Sequence, residues 1–401
     1  MRLSNIESML IRALYLAAGG ILVMQTRANN SMVSLLFTLT FALVVGLWVI
    51  GAIREITWND GIVFLTIFLA LLNVVLNAKF TRTAISLGYL KKYIMFSFTL
   101  LFFQAVHKAK VDKNTVKFLG LLNSLLVVYL MYFYYTQPVY THWMNNRLVE
   151  YATFRFDNPN LAALFLTCLF MGELLQIVQP MEKKTQTAYI WKGVHIFLAY
   201  VVMSYIKETK SRNCILVAYL VLAAFAILYI RKRNMRLRGW LSVLVALFPL
   251  IFLVIYVSFV ETPFIQSMFS FMTSKGKELD TRLSVWLPAL QRYYASPIVG
   301  AYSEITLGYG PSQLHNSHLE LMASYGTATL IAVSYLIARF IWTPKAPEQK
   351  VQTAIRFCFI GMVMLGMGEA AIFSGGLGIY IYAGVFLLLM HGEHQSQGDE
   401  L

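Results

Sequence analysis

Long apolar segments alternate with short polar connections along almost the whole chain. A bilayer core about 30 Å thick needs about 20 apolar residues for each helix that spans it. Segments of this kind, some of them short, predict twelve spans at about 9–24, 32–53, 61–78, 93–107, 118–136, 160–178, 191–206, 213–230, 239–260, 321–342, 353–374 and 377–391. Because a spanning segment must satisfy its backbone hydrogen bonds internally, we expect an all-α integral membrane protein of about twelve transmembrane helices.

The charges of the connections predict an orientation. The loop RKRNMRLRG at 231–239 holds five basic residues and no acidic one, and short loops rich in Lys and Arg remain on the cytoplasmic side. With twelve spans, the loops at 108–117, 182–184 and 343–350 fall on that side too, and both termini are then cytoplasmic.

The opposite side receives three connections that are also basic. They are 137–159, the hairpin at 207–212 and the long loop at 261–318. An error in the predicted topology would explain these external charges, and so would a binding site for an anion outside. We expect a single polytopic membrane domain, 1–401, in which 261–318 is the only sizeable element outside the bilayer.

The composition agrees with a membrane protein and excludes several other classes. Hydrophobic residues make up 58% of the chain, the mean hydropathy is +0.63 and only 13% of residues are charged. The net charge of +14 is explained by orientation and anionic headgroups, so nucleic acid is not an expected partner. No Walker A motif, D-x-D pair or serine nucleophile elbow occurs, which disfavours an ATP-driven pump and a nucleotide-sugar transferase.

The long external loop contains one amphipathic stretch, KGKELDTRLSVWLPALQRYYASP at 275–297. Its leucines and Trp286 recur at helical spacing, which predicts a helix lying along the membrane surface. Asp280 or Thr281 would cap this helix, and Pro288 would kink or shorten it. Arg282 either is solvated on this surface helix or contacts an anion near the membrane.

Polar side chains gather where the tenth span begins, in LHNSHLELMASYGTATL at 314–330. The helix is expected to begin near Asn316 or Ser317 (with His315, His318 and Glu320 close by), and Gly326 would let another element approach. The two histidines have three interpretations: a metal site, structural histidines at the interface, or a general base near neutral pH.

Other candidates lie at the ends of spans or inside them. Arg155 precedes Asp-Asn-Pro, which suits a helix cap and first turn, although capping does not explain the arginine. Arg212 heads an apolar run, where it either snorkels to the interface or binds an anion. Glu369 lies in a span, where an ionisable group is a functional hypothesis by default. Glu173, Asn73 and Asn77 are weaker cases that hydrogen bonds between helices would explain.

Three segments together resemble the O-antigen ligase and polymerase superfamily. His315-Asn316, nine residues, Gly326, two residues and Thr329 are similar to its H[NSQ]-x9-G-x-x-[GTY] signature, which also precedes a transmembrane helix. TKSRNCILV resembles its Ser-Arg at the mouth of a middle helix, and DTRLSVWLPALQRYYASPIVG resembles its external loop element. The resemblance implies a GT-C-like membrane fold in which the loop 261–318 carries part of the active site.

The resemblance also implies a reaction and the roles of residues. Such enzymes transfer a glycan from an undecaprenyl-diphosphate carrier to an acceptor glycan, at the outer face of the bacterial cytoplasmic membrane, without metal or other cofactor. His315 would be the catalytic base, and Arg212, Arg282 and Arg155 would bind the diphosphate. Asn316, His318, Glu320 and Glu369 would support them. Membrane lipids and other polysaccharide-assembly proteins are the remaining expected partners.

Three functions stay open at this point. A polymerase of surface polysaccharide (O-antigen, capsule or exopolysaccharide) would accept another lipid-linked repeat, and we favour it. A ligase would attach the glycan to lipid A-core. A flippase or exporter of lipid-linked oligosaccharide would also need cationic sites, but it predicts charges lining the spans, whereas most charges here lie at helix ends.

Overall fold

The computed structural model describes most of the chain. The described residues are 3–25, 30–81, 87–109, 112–136, 143–144, 147–148, 150–151, 154–155, 159–179, 185–230, 239–259, 262, 277–298, 300, 306–307, 310–311, 314–341 and 350–368. Helices dominate them, and the only strands in these ranges are two residues long.

Thirteen helices are formed by the described residues. They are α1 Leu3–Gln25, α2 Asn30–Arg54, α3 Trp58–Thr81, α4 Leu87–Lys108, α5 Lys113–Thr136, α6 Pro159–Val178, α7 Gln186–Glu208, α8 Arg212–Ile230, α9 Gly239–Ala246, α10 Phe248–Phe259, α11 Lys277–Ala295, α12 Ser317–Ile341 and α13 Lys350–Leu365. Three antiparallel pairs join β1 Trp143–Met144 to β2 Arg147–Leu148, β3 Glu150–Tyr151 to β4 Phe154–Arg155, and β5 Thr306–Leu307 to β6 Gly310–Pro311.

The prediction of an all-α, multi-pass membrane protein is confirmed. Among the described residues, six helices are long and apolar enough to cross a membrane, and the bent pair α9–α10 makes up to seven. Every predicted segment except 377–391, which lies outside the described residues, overlaps a helix. Large apolar side chains such as Phe68 and Tyr200 are mostly exposed, as expected for surfaces that face lipid.

The helix α6 lies at the centre of the bundle. From Ala162 to Leu175 all its residues are buried, and it packs against α5, α7, α8 and α13. Apart from Thr167 and Glu173 this stretch is apolar, and a helix that is apolar on nearly every face is stable only when other helices surround it.

Ion pairs fasten several helix ends at one end of the bundle. Arg54 lies 2.8 Å from Glu7, Lys108 lies 2.8 Å from Asp60, and Arg12 lies 3.2 Å from Asp112. Partial burial of Asp112 opposes ionisation, yet hydrogen bonds from Thr115 and the charge of Arg12 hold its pKa below the usual value. This ionic end therefore gathers the starts of α1, α3 and α5 with the ends of α2 and α4.

One predicted span is broken in two. The segment 239–260 forms α9 and α10, which are bent by 57° at Leu247. Pro249 has no backbone N–H and cannot continue the hydrogen-bond ladder of α9. The amide of Leu250 donates to the carbonyl of Leu247, at 3.0 Å, instead of that of Ala246. The break therefore leaves the Ala246 carbonyl without its helical donor.

Candidate functional site

Two helix starts cap the carboxyl end of α13. Asn213 Nδ2 donates to the Leu365 carbonyl at 2.9 Å, and the Ser317 amide donates to the Gly366 carbonyl at 2.9 Å. Asn316 Nδ2 donates to the Met367 carbonyl at 3.3 Å. The last carbonyls of a helix have no partner within the helix, and in an apolar bundle they need one from elsewhere. We call residues 365–367 with their three donors the α13 junction.

Both the oxygen and the nitrogen of the Asn316 side-chain amide form hydrogen bonds. Its Oδ1 accepts from the amides of His318 and Leu319, at 3.1 and 3.0 Å, so it is the N-cap of α12. Its Nδ2 also donates to the Pro249 carbonyl at 3.0 Å. The predicted start of the helix near Asn316 or Ser317 is confirmed, and the amide additionally joins α10, α12 and α13.

His318 contacts the broken span. Its side chain is fully buried, and Nε2 donates to the Ala246 carbonyl at 2.7 Å. That carbonyl is the one released by the bend at Leu247, so the histidine restores its missing hydrogen bond. The structure thus gives His318 a structural contact, as in the interpretation of these histidines as structural residues.

His315 differs from the residues that follow it. Asn316, Ser317 and His318 are buried, whereas His315 is partly exposed and has a φ of +50°. Left-handed backbone is uncommon for residues other than glycine, although histidine tolerates it better than most. A strained residue held between fixed neighbours is a reason to suspect function. Of the two histidines, His315 and His318, only His315 has an imidazole that another molecule could reach.

The helix α11 fixes the residue before His315. Trp286 is buried, and its Nε1 donates to the Leu314 carbonyl at 2.6 Å. Its ring packs edge-on against Tyr256 of α10, with centroids 5.2 Å apart. Arg282 lies four residues before Trp286, so its backbone is one turn away along the same face of α11. The Arg282 side chain itself lies outside the described residues.

The predicted boundaries of α11 need correction. The helix begins at Lys277, so Asp280 and Thr281 lie inside it instead of capping it. We predicted that Pro288 would either kink or shorten the helix, and it does not shorten it, because the helix continues through Pro288 to Ala295. The sequence offered two capping residues close together, but the helix begins about one turn before them.

A second contact fastens the end of α11 to α12. Gly326 interrupts α12 with φ +79° and ψ 176°, and the backbone of Ile298 and Gly300 lies against it. The Thr327 amide donates to the Pro297 carbonyl at 3.0 Å, while Asn73 of α3 donates to the Tyr325 carbonyl. These two bonds give partners to backbone groups on either side of Gly326, where the helix is interrupted. The predictions that Gly326 admits a close neighbour and that Asn73 bonds across helices are confirmed.

Arg212 is the first residue of α8 and follows a tight turn. Thr209 Oγ1 accepts from the Ser211 amide at 3.2 Å within this turn. Arg212 is partly buried and adjoins Asn213, one of the donors of the α13 junction. His315 adjoins Asn316, another of these donors. The elements bearing Arg212 and His315 therefore meet at the same helix end.

The α13 junction and the ionic end lie at opposite ends of the bundle. Asn123 of α5 and His195 of α7 both contact Glu173. Asn123 lies about 15 Å along α5 from the ionic end, and α7 continues about 20 Å beyond His195 before the turn that precedes Arg212. Since α5 and α7 each pack antiparallel to α6, they run in the same direction. The two lengths therefore add, and they separate the ionic end from the end that holds the α13 junction.

The remaining predicted site residues are placed as follows. Glu320 lies in the first turn of α12 and is partly buried. Arg155 lies in β4, which packs beside α1, and its side chain lies outside the described residues. Glu369 and Asn77 (side chain) also lie outside them. The positions of the Arg155 side chain and of Glu369 relative to the α13 junction are therefore not described, and their roles stay predictions.

Several residues of the site were missed by the sequence analysis. Asn213 and the 365–367 turn carry the junction, and Trp286 positions Leu314. The only signals were an asparagine in the first turn of an apolar helix and the glycines Gly366 and Gly368 near the end of α13. In the described part of the chain, no three His, Cys, Asp or Glu side chains are placed to hold a metal ion.

Asn316→Asp should strongly destabilise the protein. The aspartate keeps the cap of α12, but it cannot donate to the carbonyls of Pro249 and Met367. Each buried carbonyl left without a donor costs about 1–3 kcal/mol. Thermal unfolding of the purified protein in detergent measures the loss. Asn5→Asp, in the exposed first turn of α1, is the matched control and should leave the melting temperature unchanged or slightly raised; an equal melting temperature for the two variants would show that the Asn316 amide is dispensable.

Comparison with known proteins gives no family for this chain. A scan against protein-family models finds no match, and a search of curated proteins finds no significant one.

Proposed function

We propose that the protein is a membrane glycosyltransferase that moves a glycan from a polyprenyl-diphosphate carrier to an acceptor sugar. The observation that supports it best is the α13 junction. There the helix start bearing Arg212 and the helix start bearing His315 cap the same helix end, and Trp286 of α11 holds the residue before His315. A cation and an imidazole beside one helix end suit a reaction that needs a base next to an anionic leaving group.

The chemistry assigns one task to each group. His315 removes the proton from the acceptor hydroxyl, whose oxygen attacks the anomeric carbon of the donor sugar. The bond between that carbon and the diphosphate oxygen breaks, so the configuration inverts. Arg212, with Arg282 and Arg155, stabilises the negative charge that develops on the departing diphosphate. The proton on the imidazole then passes to solvent or to the released diphosphate.

The proposal includes a place in the cell and an architecture. The site would lie on the outer face of a bacterial cytoplasmic membrane, with the ionic end facing the cytoplasm. A twelve-span, GT-C-like bundle would hold the polyprenyl chain between its apolar helices. A lipid-borne diphosphate and a water-borne sugar meet only at such an interface, which is where the partly exposed His315 would have to act.

Reconstitution of the purified protein tests the function. The protein in liposomes receives a lipid-linked repeat unit, alone or together with lipid A-core. A ladder of products from the repeat unit alone identifies a polymerase, and products that require lipid A-core identify a ligase. Movement of the lipid-linked substrate across the bilayer without a new glycosidic bond would contradict the proposal and favour a flippase.

Arg212→Lys tests how the diphosphate is bound. Lysine keeps the positive charge but loses the planar fork that contacts two phosphate oxygens at once. If Arg212 binds the leaving group, we expect the transfer rate to fall about 10²-fold, comparable to the loss of one preorganised donor. The rate of transfer in the reconstituted assay measures the change.

Arg339→Lys is the matched control for this substitution. Arg339 is exposed in the last turn of α12, at the other end of that helix. The Arg339→Lys variant should transfer glycan at the wild-type rate. Wild-type transfer by Arg212→Lys as well would mean that Arg212 only snorkels to the interface.

A further inference from the structure

A second polar cluster lies inside the bundle, among α5, α6 and α7. Glu173 of α6 is fully buried, and its Oε2 lies 2.7 Å from Nδ1 of His195 on α7. Its Oε1 accepts from Asn123 Nδ2 at 2.8 Å and from Ser124 Oγ at 2.9 Å, both on α5. The cluster takes no part in the proposed transfer reaction, so the inference drawn from it does not depend on that proposal.

The packing around this cluster is close. Asn123 Nδ2 also approaches the Leu169 carbonyl at 3.2 Å. A Cβ at Gly172 would lie 2.7 Å from Asn123 Oδ1, so only glycine leaves room for the amide. Helix packing thus holds the donors against the carboxyl group in one fixed arrangement.

The hydrogen bonds divide the two oxygens of the carboxyl group between different partners. An ionised carboxylate only accepts hydrogen bonds, and here two neutral donors point at one oxygen while an imidazole nitrogen faces the other. Several donors to a carboxylate favour its charged form. A single uncompensated charge in an apolar bundle is costly, however, and a proton on the imidazole removes it.

We propose that Glu173 and His195 form an intramembrane proton-binding site. The proton lies between Oε2 of Glu173 and Nδ1 of His195, and the imidazolium–carboxylate pair has no net charge. Loss of this proton leaves a negative charge between α5, α6 and α7 and weakens their packing. His195 is the more exposed member of the pair, with 14% of its side chain exposed against 0% for Glu173.

Other ionisable groups lie on the helices that pack against α6. Besides tyrosines, they are Lys113 and Lys117 of α5, Lys192, Lys207 and Glu208 of α7, Arg212 and Cys214 of α8, and Lys350, Arg356 and Cys358 of α13. The described ion pair of Glu173 is with His195. Lys192 lies one turn before His195 on α7, and it is the nearest of these groups along the chain to either member of the pair.

A set of four variants separates a charge pair from a neutral hydrogen bond. His195→Gln keeps an amide donor for Oε2 but cannot carry the proton, whereas Glu173→Gln removes the carboxylate. At about pH 7.5 we expect His195→Gln to have the lowest melting temperature. The double variant should recover most of that loss, because it contains no buried charge. Ser124→Ala is the matched control, because it removes a neutral hydroxyl that donates to Oε1 of Glu173 at 2.9 Å and lies 3.4 Å from Nδ1 of His195. It leaves both ionisable groups of the pair in place and should cause a small loss.

The pH dependence adds a second criterion. The deficit of His195→Gln should shrink as the pH is lowered, because a proton on the carboxyl group would remove the uncompensated charge, while the deficit of Ser124→Ala should not change. Equal losses for His195→Gln and Glu173→Gln, with no recovery in the double variant, would overturn the proposal.

A spectroscopic measurement covers the case in which His195→Gln does not fold. The chain has seven histidines, and ¹⁵N nuclear magnetic resonance distinguishes an imidazolium from a neutral ring. At about pH 7.5, wild-type protein in nanodiscs should show one histidine with both nitrogens protonated, and Glu173→Gln should lose that signal. Absence of the signal from the wild type, or its persistence in Glu173→Gln, would exclude the site.

Discussion

Replacing His315 with asparagine should lower the rate of glycan transfer by about 10²- to 10⁴-fold, the usual contribution of a general base. Asparagine is the sharpest substitution, because the φ of His315 is +50° and asparagine tolerates left-handed backbone. The backbone between Leu314 and Asn316 is therefore kept while the imidazole is lost. The reconstituted transfer assay gives the rate, and the melting temperature in detergent should remain close to that of the wild type.

Two further variants separate the loss of the base from a change of backbone. His315→Gly also accepts a positive φ, so it should be as inactive as His315→Asn. His107→Asn, near the ionic end of the bundle, should transfer at the wild-type rate. If His315→Asn and His315→Gly both retain transfer, the base must be another group and the proposed mechanism is wrong.

The helices were predictable because apolar length alone determines where a chain can cross a bilayer. The start of α12 was predictable as well, since Asn316-Ser317 precedes an apolar run and an asparagine side chain can cap the first amides. Gly326 was recognised as a point of close approach from its place within a span. In each case the cause is local, and a short window of sequence contains it.

The partners across the bundle were not predictable in the same way. Asn213 donates to the last carbonyl of α13, 152 residues away, and Asn316 donates to a carbonyl just beyond that helix, 51 residues away. Any side chain with a hydrogen-bond donor at the same depth in the bundle could have bound those carbonyls. A single sequence does not show which side chain lies there. For the same reason Glu173 was expected to bond across helices, but its partner His195 was not identified.

The broken span at 239–260 shows a structural feature that the hydropathy of the sequence did not predict. The segment 239–260 is apolar enough for one straight helix, yet it forms α9 and α10. Pro249 could have signalled the break, but a hydropathy pattern does not count backbone donors. The bend persists because His318 binds the Ala246 carbonyl that it releases, and that compensation comes from a different helix.

Gly326→Ala should destabilise the fold by roughly 2 to 6 kcal/mol, as backbone strain and overpacking add together. The φ of +79° with a ψ of 176° belongs to a region that essentially only glycine occupies. A Cβ there would also lie 2.6 Å from the Ile298 carbonyl carbon and 2.9 Å from the Gly300 amide nitrogen. The segment after α11 would have to move away, which breaks the bonds of Thr327 to Pro297 and loosens the helix that carries Arg282.

Gly193→Ala is the control, because a Cβ at that position in α7 has no neighbour within 4 Å. A helical glycine replaced by alanine gains about 0.5–1 kcal/mol, so its melting temperature should stay the same or rise. Gly300→Ala should resemble Gly326→Ala, since φ there is +71° and its Cβ would lie 2.7 Å from the Gly326 amide nitrogen. Because the two glycines share one contact, the double variant should lose less than the sum of the single losses. Full additivity, or a Gly326→Ala variant as stable as Gly193→Ala, would mean that α11 and α12 are not held together at this point.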